Sequence, residues 1–272
     1  MAKKKGNRDF MGLTNTECVN VSKQILDNAA ALYDDAKLLA GNKSYGRGTS
    51  MLIHCTEETM KALILFLDGN GFQFRRKVSG ISNLFIHHKL RYGLAMLVSV
   101  LYIFSEDFKT LLKKIHKEPK RFKDSLEDKK QVGGAVLKYL QTKIMVIIQE
   151  VDWFSKAEYL RQEGFYVDFS DEIKSPLQIS KQGFDAVLLR TNGMRNVVSG
   201  FIDAVESNED EFAEHLDKLK QQFIDENWYA KIGSLIETYK NREVNPLDAL
   251  SNGLTEFSTE INSKTDLDDL KH

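Results

Sequence analysis

Side chains able to move protons or to bind phosphate concentrate in one stretch of the chain, residues 45–91. Four of them follow spacings of seven, four and three residues, which place them on one face of a helix: Arg47, His54, Glu58 and Lys61. The loop and turn that follow add a second group: Arg75, Arg76, Lys77, His87, His88, Lys89 and Arg91. Because histidine titrates near neutral pH and cations stabilise phosphoryl oxygens, acid–base or phosphate chemistry is the expectation for this stretch.

Some of these charges also have an ordinary structural explanation. Glu57 and Lys61 are four residues apart, a spacing typical of an ion pair on a solvated helix face that contributes about 0.2–0.5 kcal/mol. The cations at residues 87–91 fall near the start of the next helix, where each opposes the helix dipole at a cost of about 0.3–1 kcal/mol. Their position indicates an anionic partner, either Glu57 or Glu58 or a phosphate group.

The common metal, cofactor and nucleophile motifs are missing. His54 and Glu58 could offer two metal ligands from one helix face, but carboxylate-bridged bundles need ExxH pairs, and the core-forming helices contain none. Cys55 falls on the apolar side of its helix, which gives no support to a cysteine nucleophile. The chain has no phosphate-binding glycine loop, no GxGxxG and no CxxC. No metal and no cofactor are predicted.

The composition limits the function classes. With 272 residues and 42% hydrophobic content, the chain can bury one large core. The net charge of −1 excludes a globally basic nucleic-acid binder but permits a local basic site. Two cysteines without a metal or disulfide pattern fit a reducing compartment, so a cytoplasmic location is predicted. Residues 1–13 are basic without an apolar run, which predicts a flexible basic arm rather than a signal peptide.

The first two predicted helices form an antiparallel hairpin. Residues 14–17 have the spacing of a capping box, a helical apolar stripe follows, and Gly41 marks the end of the first helix. Ser44 can cap the second helix, which runs to Leu67 before the glycine-rich residues 68–71 break it. The short connection makes the two helices antiparallel neighbours.

The middle of the chain contains the most apolar helix. Residues 83–104 read as one helix, apolar nearly all round in its second half, which predicts a place at the centre of a bundle. Its apolar run, residues 94–104, would span roughly 16 Å as a helix, about half a bilayer core, so a membrane segment is not predicted. Residues 105–130 are predicted to be a solvated charged insertion, with a functional basic arm as the alternative.

The remainder of the chain is predicted to be helical with one short exception. Residues 132–161 resume the helical pattern, Gly164 ends it, and residues 165–169 alternate like a short extended segment. Ser175 and Pro176 are typical of a helix start. The further predicted helices span 177–205, 210–224, 229–239 and 247–257. The predicted organisation is a bundle at 14–205, a C-terminal helical extension at 206–257 and a loose tail at 258–272.

Three motifs in series carry a resemblance to a known family. They are EExxK at residues 57–61, HHK at 87–89 and RxxGxYVD at 161–168, the last followed by Ser175-Pro176. Over residues 20–205 the chain resembles the AbiV-type abortive infection proteins, which belong to the HEPN group of helical-bundle domains. The resemblance implies an all-α, HEPN-like bundle of antiparallel long helices with extra helices at the C-terminus.

The resemblance also implies a function. AbiV-type proteins are bacterial anti-phage proteins that arrest growth or translation in infected cells and bind a phage-encoded activator. Many HEPN domains are metal-independent endoribonucleases that act as homodimers and use an arginine and a histidine separated by four to six residues. Arg47 and His54 have six residues between them. RNA or the ribosome is the further implied partner, and no membrane partner is implied.

If RNA cleavage occurs, roles can be assigned to the candidate residues. His87 or His88 would exchange protons with the RNA, Glu58 would orient a neighbouring side chain, and a cation would stabilise the phosphoryl oxygens. The candidate catalytic set is Glu58, Lys61, His87, His88, Lys89 and Arg161. The supporting set is Arg47, His54, Tyr166 and Asp168, of which the last two would hold Arg161 in place.

Two non-catalytic alternatives remain open on the sequence. In the first, the same polar face docks a phage protein, RNA or the translation machinery. In the second, the chain is a plain dimeric helical scaffold. Convergence of Lys61, His88, Lys89 and Arg161 in one cleft would favour catalysis or anion binding. Scattered, outward-facing charges would favour docking.

Overall fold

The computed structural model describes residues 9–99, 102, 149–169, 173–207 and 210–240. In these residues the protein is an all-α bundle with one very short β-hairpin, which confirms the predicted fold class. The predictions for residues 1–8, 105–130, 247–257 and 258–272 lie outside the described residues. The division into arm, bundle, extension and tail stays a prediction.

The predicted antiparallel helix pair is present at the start of the bundle. Helix α1 spans Asn15–Gly41, and its capping box is formed: the Glu17 amide donates to Thr14 Oγ1 and the Thr14 amide donates to Glu17 Oε2. Helix α2 spans Tyr45–Leu67 and packs along α1. Ser44 is the N-cap residue of α2, as predicted, but it makes no side-chain capping bond; its backbone carbonyl accepts from the Gly48 amide.

Helix α2 lies at the centre of the bundle. Most of its residues are buried, and it packs on α1 on one side and on the long helix Lys181–Glu206 on another. The predicted central helix is less enclosed over its described residues, because Leu94 is half-buried and Leu97 is exposed. A helix with few charges between Thr49 and Phe66 can be covered on all sides, which explains the central place of α2.

The connection after α2 is compact. Helical turns continue through Asp68, and non-helical backbone begins at Asn70, so the predicted break starts two residues later than expected. Gly71 at φ 96° has the positive φ that glycine tolerates best. The short helices α3, Phe74–Lys77, and α4, Ser82–Ile86, follow.

The predicted single helix over 83–104 is wrong at His87. Helix α4 ends at Ile86, and His87 adopts an extended conformation with φ −99° and ψ 120°. A new helix, α5, begins at residue 88 and is described to residue 99. Helix α6 is described over 149–163 and ends before Gly164, as predicted.

The segment after α6 contains the hairpin. Strands β1, Asp168–Phe169, and β2, Ile173–Lys174, pair antiparallel, which confirms extended structure for the end of the predicted segment 165–169. The prediction that Ser175 and Pro176 open a long helix is wrong, because they open a single 3-10 turn, Pro176–Gln178.

The long helix starts later. Helix α7 spans Lys181–Glu206, and its first turn is capped by Ser180 Oγ, which accepts from the Gly183 amide. Helices α8, Asp210–Asp225, and α9, Trp228–Lys240, match their predicted ranges to within one residue at each end.

Two apolar clusters hold these elements together. The larger joins α1, α2, α5, α6 and α7 around residues such as Ile53, Phe66 and Val198. The smaller packs α8 and α9 on the connection between α2 and α5, with Phe74 and Tyr229 at its centre. Within the described parts of the chain, no helix has the combined length and hydropathy needed to cross a membrane.

Candidate functional site

A single buried carboxylate organises the polar interior of the bundle. Glu57, in the middle of α2, is fully buried. Its Oε1 accepts a short hydrogen bond from the Tyr92 hydroxyl, and its Oε2 accepts from Arg91 Nη2 at 2.8 Å. His88 Nδ1 lies 2.6 Å from the same Oε2. Glu57 therefore connects α2 to the first turns of α5.

Side chains of α2 and α6 complete this group. His54, one turn before Glu57, places Nδ1 at 3.6 Å from Oε2. Arg161 Nε lies 3.8 Å from Oε1 and also donates at 3.0 Å to Glu158, whose Oε1 accepts from Arg161 Nη2 at 2.7 Å. Together these residues form what we call the Glu57 cluster: His54, Glu57, His88, Arg91, Tyr92, Glu158 and Arg161.

The protonation of His88 follows from its neighbours. Nδ1 lies 2.6 Å from the Glu57 carboxylate and 2.7 Å from Arg91 Nη2. A guanidinium can only donate, so Nδ1 can either accept from Arg91 or donate to Glu57, but not both. Donation to an anion is the stronger bond, so we assign the proton to Nδ1. With the proton on Nδ1, Nε2 on the far side of the ring is the available nitrogen.

The cluster keeps Glu57 ionised. Burial alone would raise the pKa of Glu57, but contacts with His54 and Tyr92, the charge of Arg91 and the contact with His88 outweigh burial and lower the pKa to about 2. Burial and the adjacent Glu57 charge raise the pKa of Tyr92 well above its usual value, so its hydroxyl remains a donor. The carboxylate is therefore an anion throughout the physiological range.

The charges in the cluster balance. Two carboxylates, Glu57 and Glu158, face two guanidinium groups, Arg91 and Arg161, at hydrogen-bond or ion-pair distance. Burial raises the pKa of Glu158, but its bonds to Arg161 and Gln162 lower it overall. Buried charges of this kind persist because each is paired. A net positive charge then arises only when a histidine is protonated.

The break at His87 explains how Arg91 reaches Glu57. Because α4 ends one residue before His87, the last α4 carbonyls lack helical partners. Arg91 Nη1 donates to two of them, Leu84 and Phe85, at 3.2 Å each. One guanidinium therefore ties the end of α4 to α2, and the same turn brings His88 to the carboxylate.

Close packing of two backbones fixes Arg161. Ser50 Oγ, on α2, donates to the Arg161 carbonyl at 2.7 Å. A Cβ atom added at Gly164 would lie 2.1 Å from Ser50 Oγ and 2.3 Å from the Gly46 carbonyl oxygen. Only glycine allows this approach of α6 to the start of α2. The α2–α6 crossing therefore sets the distance between Arg161 and Glu57.

The residues of the cluster lie within a stretch of the chain that matches a known protein family. The family model described as AbiV, a HEPN-domain model, matches residues 17–196, well over half of the chain and all of the Glu57 cluster. The chain belongs to the AbiV family of HEPN domains. That membership places it with the abortive infection proteins. No curated protein and no solved structure matches the chain.

Glu58 and Lys61, two of the predicted site residues of this AbiV domain, lie next to the Glu57 cluster but are not part of it. Glu58 is buried and forms a short ion pair with Lys61, whose side chain is 15% exposed. The expected surface pair between Glu57 and Lys61 is wrong, because Glu57 turns inward to α5 and Lys61 bonds to Glu58 instead. Consecutive residues of a helix point about 100° apart, so the two glutamates serve different neighbours.

The other predicted residues divide between the cluster and the surface. His88, Arg161 and His54 belong to the cluster. His87, Lys89 and Arg47 are exposed, and within the described residues they make no hydrogen bond or ion pair with it. Arg47 lies two helical turns before His54, so the expected arginine–histidine pair shares a face but not a contact.

Tyr166 and Asp168 do not hold Arg161, contrary to expectation. Tyr166 is exposed and its ring contacts Phe165, while the Asp168 carboxylate accepts from the Phe169 amide. Glu158, one turn before Arg161 on α6, binds the guanidinium instead. A residue at i,i+3 on the same helix is already within reach.

Four residues of the cluster were not among the predicted catalytic or supporting residues: Glu57, Arg91, Tyr92 and Glu158. Glu57 was predicted only as a possible anionic partner for the cations at residues 87–91, and its contacts with His88 and Arg91 confirm that prediction. Three of the four carried a readable signal, since His54–Glu57, His88–Arg91 and Glu158–Arg161 all have the i,i+3 spacing of helix neighbours. The spacing shows which side chains share a face. It does not show that three such faces meet.

The cluster contains metal-ligand atoms but also fixed cations. Ligand atoms of Glu57, His88 and Glu158 lie within 4.8 Å of one another, a set that a transition metal would accept. Arg91 and Arg161 donate into the same atoms, so a metal ion would meet two guanidinium charges at contact distance. To bind there, a metal ion would have to displace these two donors.

Proposed function

We propose that this protein is a bacterial anti-phage effector that arrests growth or translation in infected cells by metal-independent RNA cleavage at the Glu57 cluster. Family membership supports the abortive infection role. One observation supports the chemistry: a buried, ionised carboxylate contacts the imidazoles of His88 and His54, whose side chains are 38% and 39% exposed. Both rings can therefore meet a substrate while Glu57 holds them.

Cleavage of RNA without a metal needs one base and one acid. The base removes the proton of a 2′-hydroxyl, whose oxygen attacks phosphorus, and the acid protonates the 5′-oxygen as its bond to phosphorus breaks. The products are a 2′,3′-cyclic phosphate and a free 5′-hydroxyl. Two histidines on one carboxylate supply both groups, and we assign His88 as the base and His54 as the acid.

Glu57 acts on the histidines and not on the substrate. Its bond to Nδ1 of His88 fixes the ring orientation and leaves Nε2 as the proton acceptor. The same anion stabilises the imidazolium that forms when Nε2 takes a proton, as the buried aspartate does in serine hydrolases. Burial of the carboxylate strengthens this interaction, since no water competes for it.

Arg161 is the group proposed to stabilise the phosphoryl oxygens. Its Nε and Nη2 bond to Glu158, and its Nη1 has no hydrogen-bond partner among the described residues. The guanidinium side chain is partly exposed, at 19%. A donor fixed by a carboxylate and still open on one side is suited to the charge that develops on phosphorus-bound oxygen.

The family resemblance supports the remaining parts of the proposal. The protein would act in the cytoplasm as a homodimer, respond to a phage-encoded activator protein and take cellular RNA or the ribosome as its target. A dimer would place two Glu57 clusters in one particle.

The proposal is tested by incubating purified protein with total RNA in EDTA. Wild-type protein is expected to cleave RNA to cyclic-phosphate ends, and His88→Asn is expected to lose roughly a hundredfold or more in rate. His87→Asn is the matched control, because His87 is adjacent, exposed and outside the cluster. Equal rates for the two variants, or no cleavage by the wild type, would overturn the nuclease proposal.

A specific observation favours a second candidate function, non-catalytic docking. Both cluster arginines are paired with carboxylates, so the buried group is also what a purely structural tie between α2, α5 and α6 would contain. The hairpin region meanwhile exposes Tyr166, Val167 and Phe169. In this candidate an outer surface binds the phage protein, RNA or translation machinery. A wild type that cleaves no RNA in EDTA but retains RNA or ribosomes in a co-sedimentation assay would support it.

A further inference from the structure

The segment before α1 is fastened to the bundle beside the Glu57 cluster. Asp9 caps a 3-10 turn, Phe10–Gly12, by accepting from the Met11 amide at 3.0 Å. The Phe10 ring stacks on the Phe85 ring of α4, with centroids 4.9 Å apart and planes 20° from parallel. The Phe10 carbonyl accepts from Arg75 Nη1 at 2.6 Å. Phe10 is therefore held by both its ring and its backbone.

The anchor on the Arg75 side is rigid. Arg75 Nε donates to Asp68 Oδ2 at 2.5 Å, and its backbone amide donates to Asp68 Oδ1 at 3.0 Å. Both side chains are nearly fully buried. A buried pair with several hydrogen bonds has one well-defined geometry, so it fixes the place of the Phe10 carbonyl.

Phe85, on which the Phe10 ring stacks, is connected to the Glu57 cluster through Arg91. The Phe85 and Leu84 carbonyls accept from Arg91 Nη1, and Arg91 Nη2 donates to Glu57 beside His88. Helix α4 has only five residues, too few to be stable by itself, so packing determines where its last carbonyls lie. The half-buried Phe10 ring is part of that packing.

We propose that Phe10 is a positioning residue for the Glu57 cluster. Its ring holds α4 so that the Leu84 and Phe85 carbonyls keep Arg91 against Glu57 and His88. The effect on RNA cleavage rests on the proposed function, whereas the effect on the geometry of His88 does not. The chain segment before α1 is then part of the working site and not a dispensable arm.

The experiment compares full-length Phe10→Ala with wild type by NMR of isotope-labelled histidine, with His88 assigned from the spectrum of His88→Asn. Wild-type His88 is expected to show the Nδ1-protonated tautomer with a slowly exchanging proton. Phe10→Ala is expected to shift His88 toward a mixture of tautomers with faster exchange, and to lower cleavage roughly tenfold to a hundredfold. Met11→Ala, in the same turn and exposed, is the matched control and should match wild type.

Conservative variants keep the test decisive. Phe10→Tyr retains a stacked ring and is expected to restore the wild-type His88 signal. If Phe10→Ala does not fold, Phe10→Leu removes the stacked ring while keeping an apolar contact, and it should show the same shift. An unchanged His88 tautomer and exchange rate in a folded Phe10 variant would overturn the proposal. A wild type that cleaves no RNA would contradict the proposed function alone, because the NMR comparison is read independently.

Discussion

At Glu57, the energetics of one buried charge account for most of the site. A carboxylate without water around it is stable only if donors and opposite charges replace the water. Tyr92, Arg91 and His88 provide them from α5. In the proposed mechanism the same contacts orient His88. The residues that stabilise the fold here are then also the residues that would prepare the histidines.

Replacing the buried carboxylate should cost much more than replacing an exposed one. We expect Glu57→Gln to lower the free energy of unfolding by about 3–5 kcal/mol at neutral pH, since Arg91 would remain buried without its anion. The control is Glu214→Gln in α8, which breaks a solvent-exposed pair with Lys218 and should cost at most about 0.5 kcal/mol. Urea unfolding followed by circular dichroism measures both values. Similar losses in the two variants would contradict the central place of Glu57.

The lowered pKa of Glu57 predicts a specific acid sensitivity. Its pKa of about 2 in the folded state is below the ordinary value of 4.5, so the folded state binds this proton less readily than the unfolded state. The stabilisation is complete above about pH 5 and is lost as the pH falls toward 2, a loss on the order of 3 kcal/mol. Unfolding at a series of pH values measures it. In Glu57→Gln the free energy of unfolding should fall less steeply as the pH drops from 5 to 2. An equal fall in the variant and the wild type would contradict the lowered pKa of Glu57.

Among the elements, the interruption between α4 and α5 matters most for the site. The sequence around His87 has no glycine or proline, and its apolar pattern predicts one continuous helix. The structure interrupts it there because Arg91 bonds to the freed carbonyls and His88 reaches Glu57, contacts that form only when α5 meets α2. Helix ends with local signals, such as the capping box at Thr14, were predictable from the sequence. The end of α4 before His87 was not predictable, because it depends on contacts with residues distant in the chain.

The α2–α6 crossing can be tested with one methyl group. In Gly164→Ala the new Cβ would meet Ser50 Oγ and the Gly46 backbone, so α6 must shift. We expect a loss of about 1–3 kcal/mol and a displaced Arg161. The matched control is Gly200→Ala in α7, where nothing lies within 4 Å of the added atom, and which should be neutral or stabilising by up to about 1 kcal/mol. Thermal unfolding ranks the two. An unchanged Gly164→Ala protein would disprove the close approach.

For the whole molecule, periodicity predicted the class of fold and the motif series predicted the family. The apolar stripes of α1, α2 and α7 have the 3.6-residue repeat, so an all-α bundle could be expected. The Glu57 cluster could not be assembled from spacing, because Glu57 lies 31 residues from His88 and Tyr92 lies 66 from Glu158. Contacts between residues so far apart in sequence depend on how α2, α5 and α6 cross. Sequence motifs located the region, and the tertiary structure places Glu57, rather than Glu58, at the centre of the polar cluster.

Helices α8 and α9 lie beyond the family match, which ends at residue 196, and they also pack on the part of the chain that leads to the Glu57 cluster. Tyr229 of α9 donates to the Phe72 carbonyl at 2.8 Å, and its ring packs with Phe74 and Phe223. These contacts lie on the connection that carries α3 and α4 toward the cluster. The extension therefore packs on the chain that positions His88 and Arg91.

We propose the Glu57 cluster as the effector site of the protein. The most direct measurement is the growth of bacteria that express matched levels of each variant, with and without phage infection. We expect wild type and His87→Asn to arrest growth and His88→Asn not to, because of these two adjacent histidines only His88 contacts Glu57. Growth arrest by His88→Asn equal to that of the wild type, at equal protein levels, would contradict it.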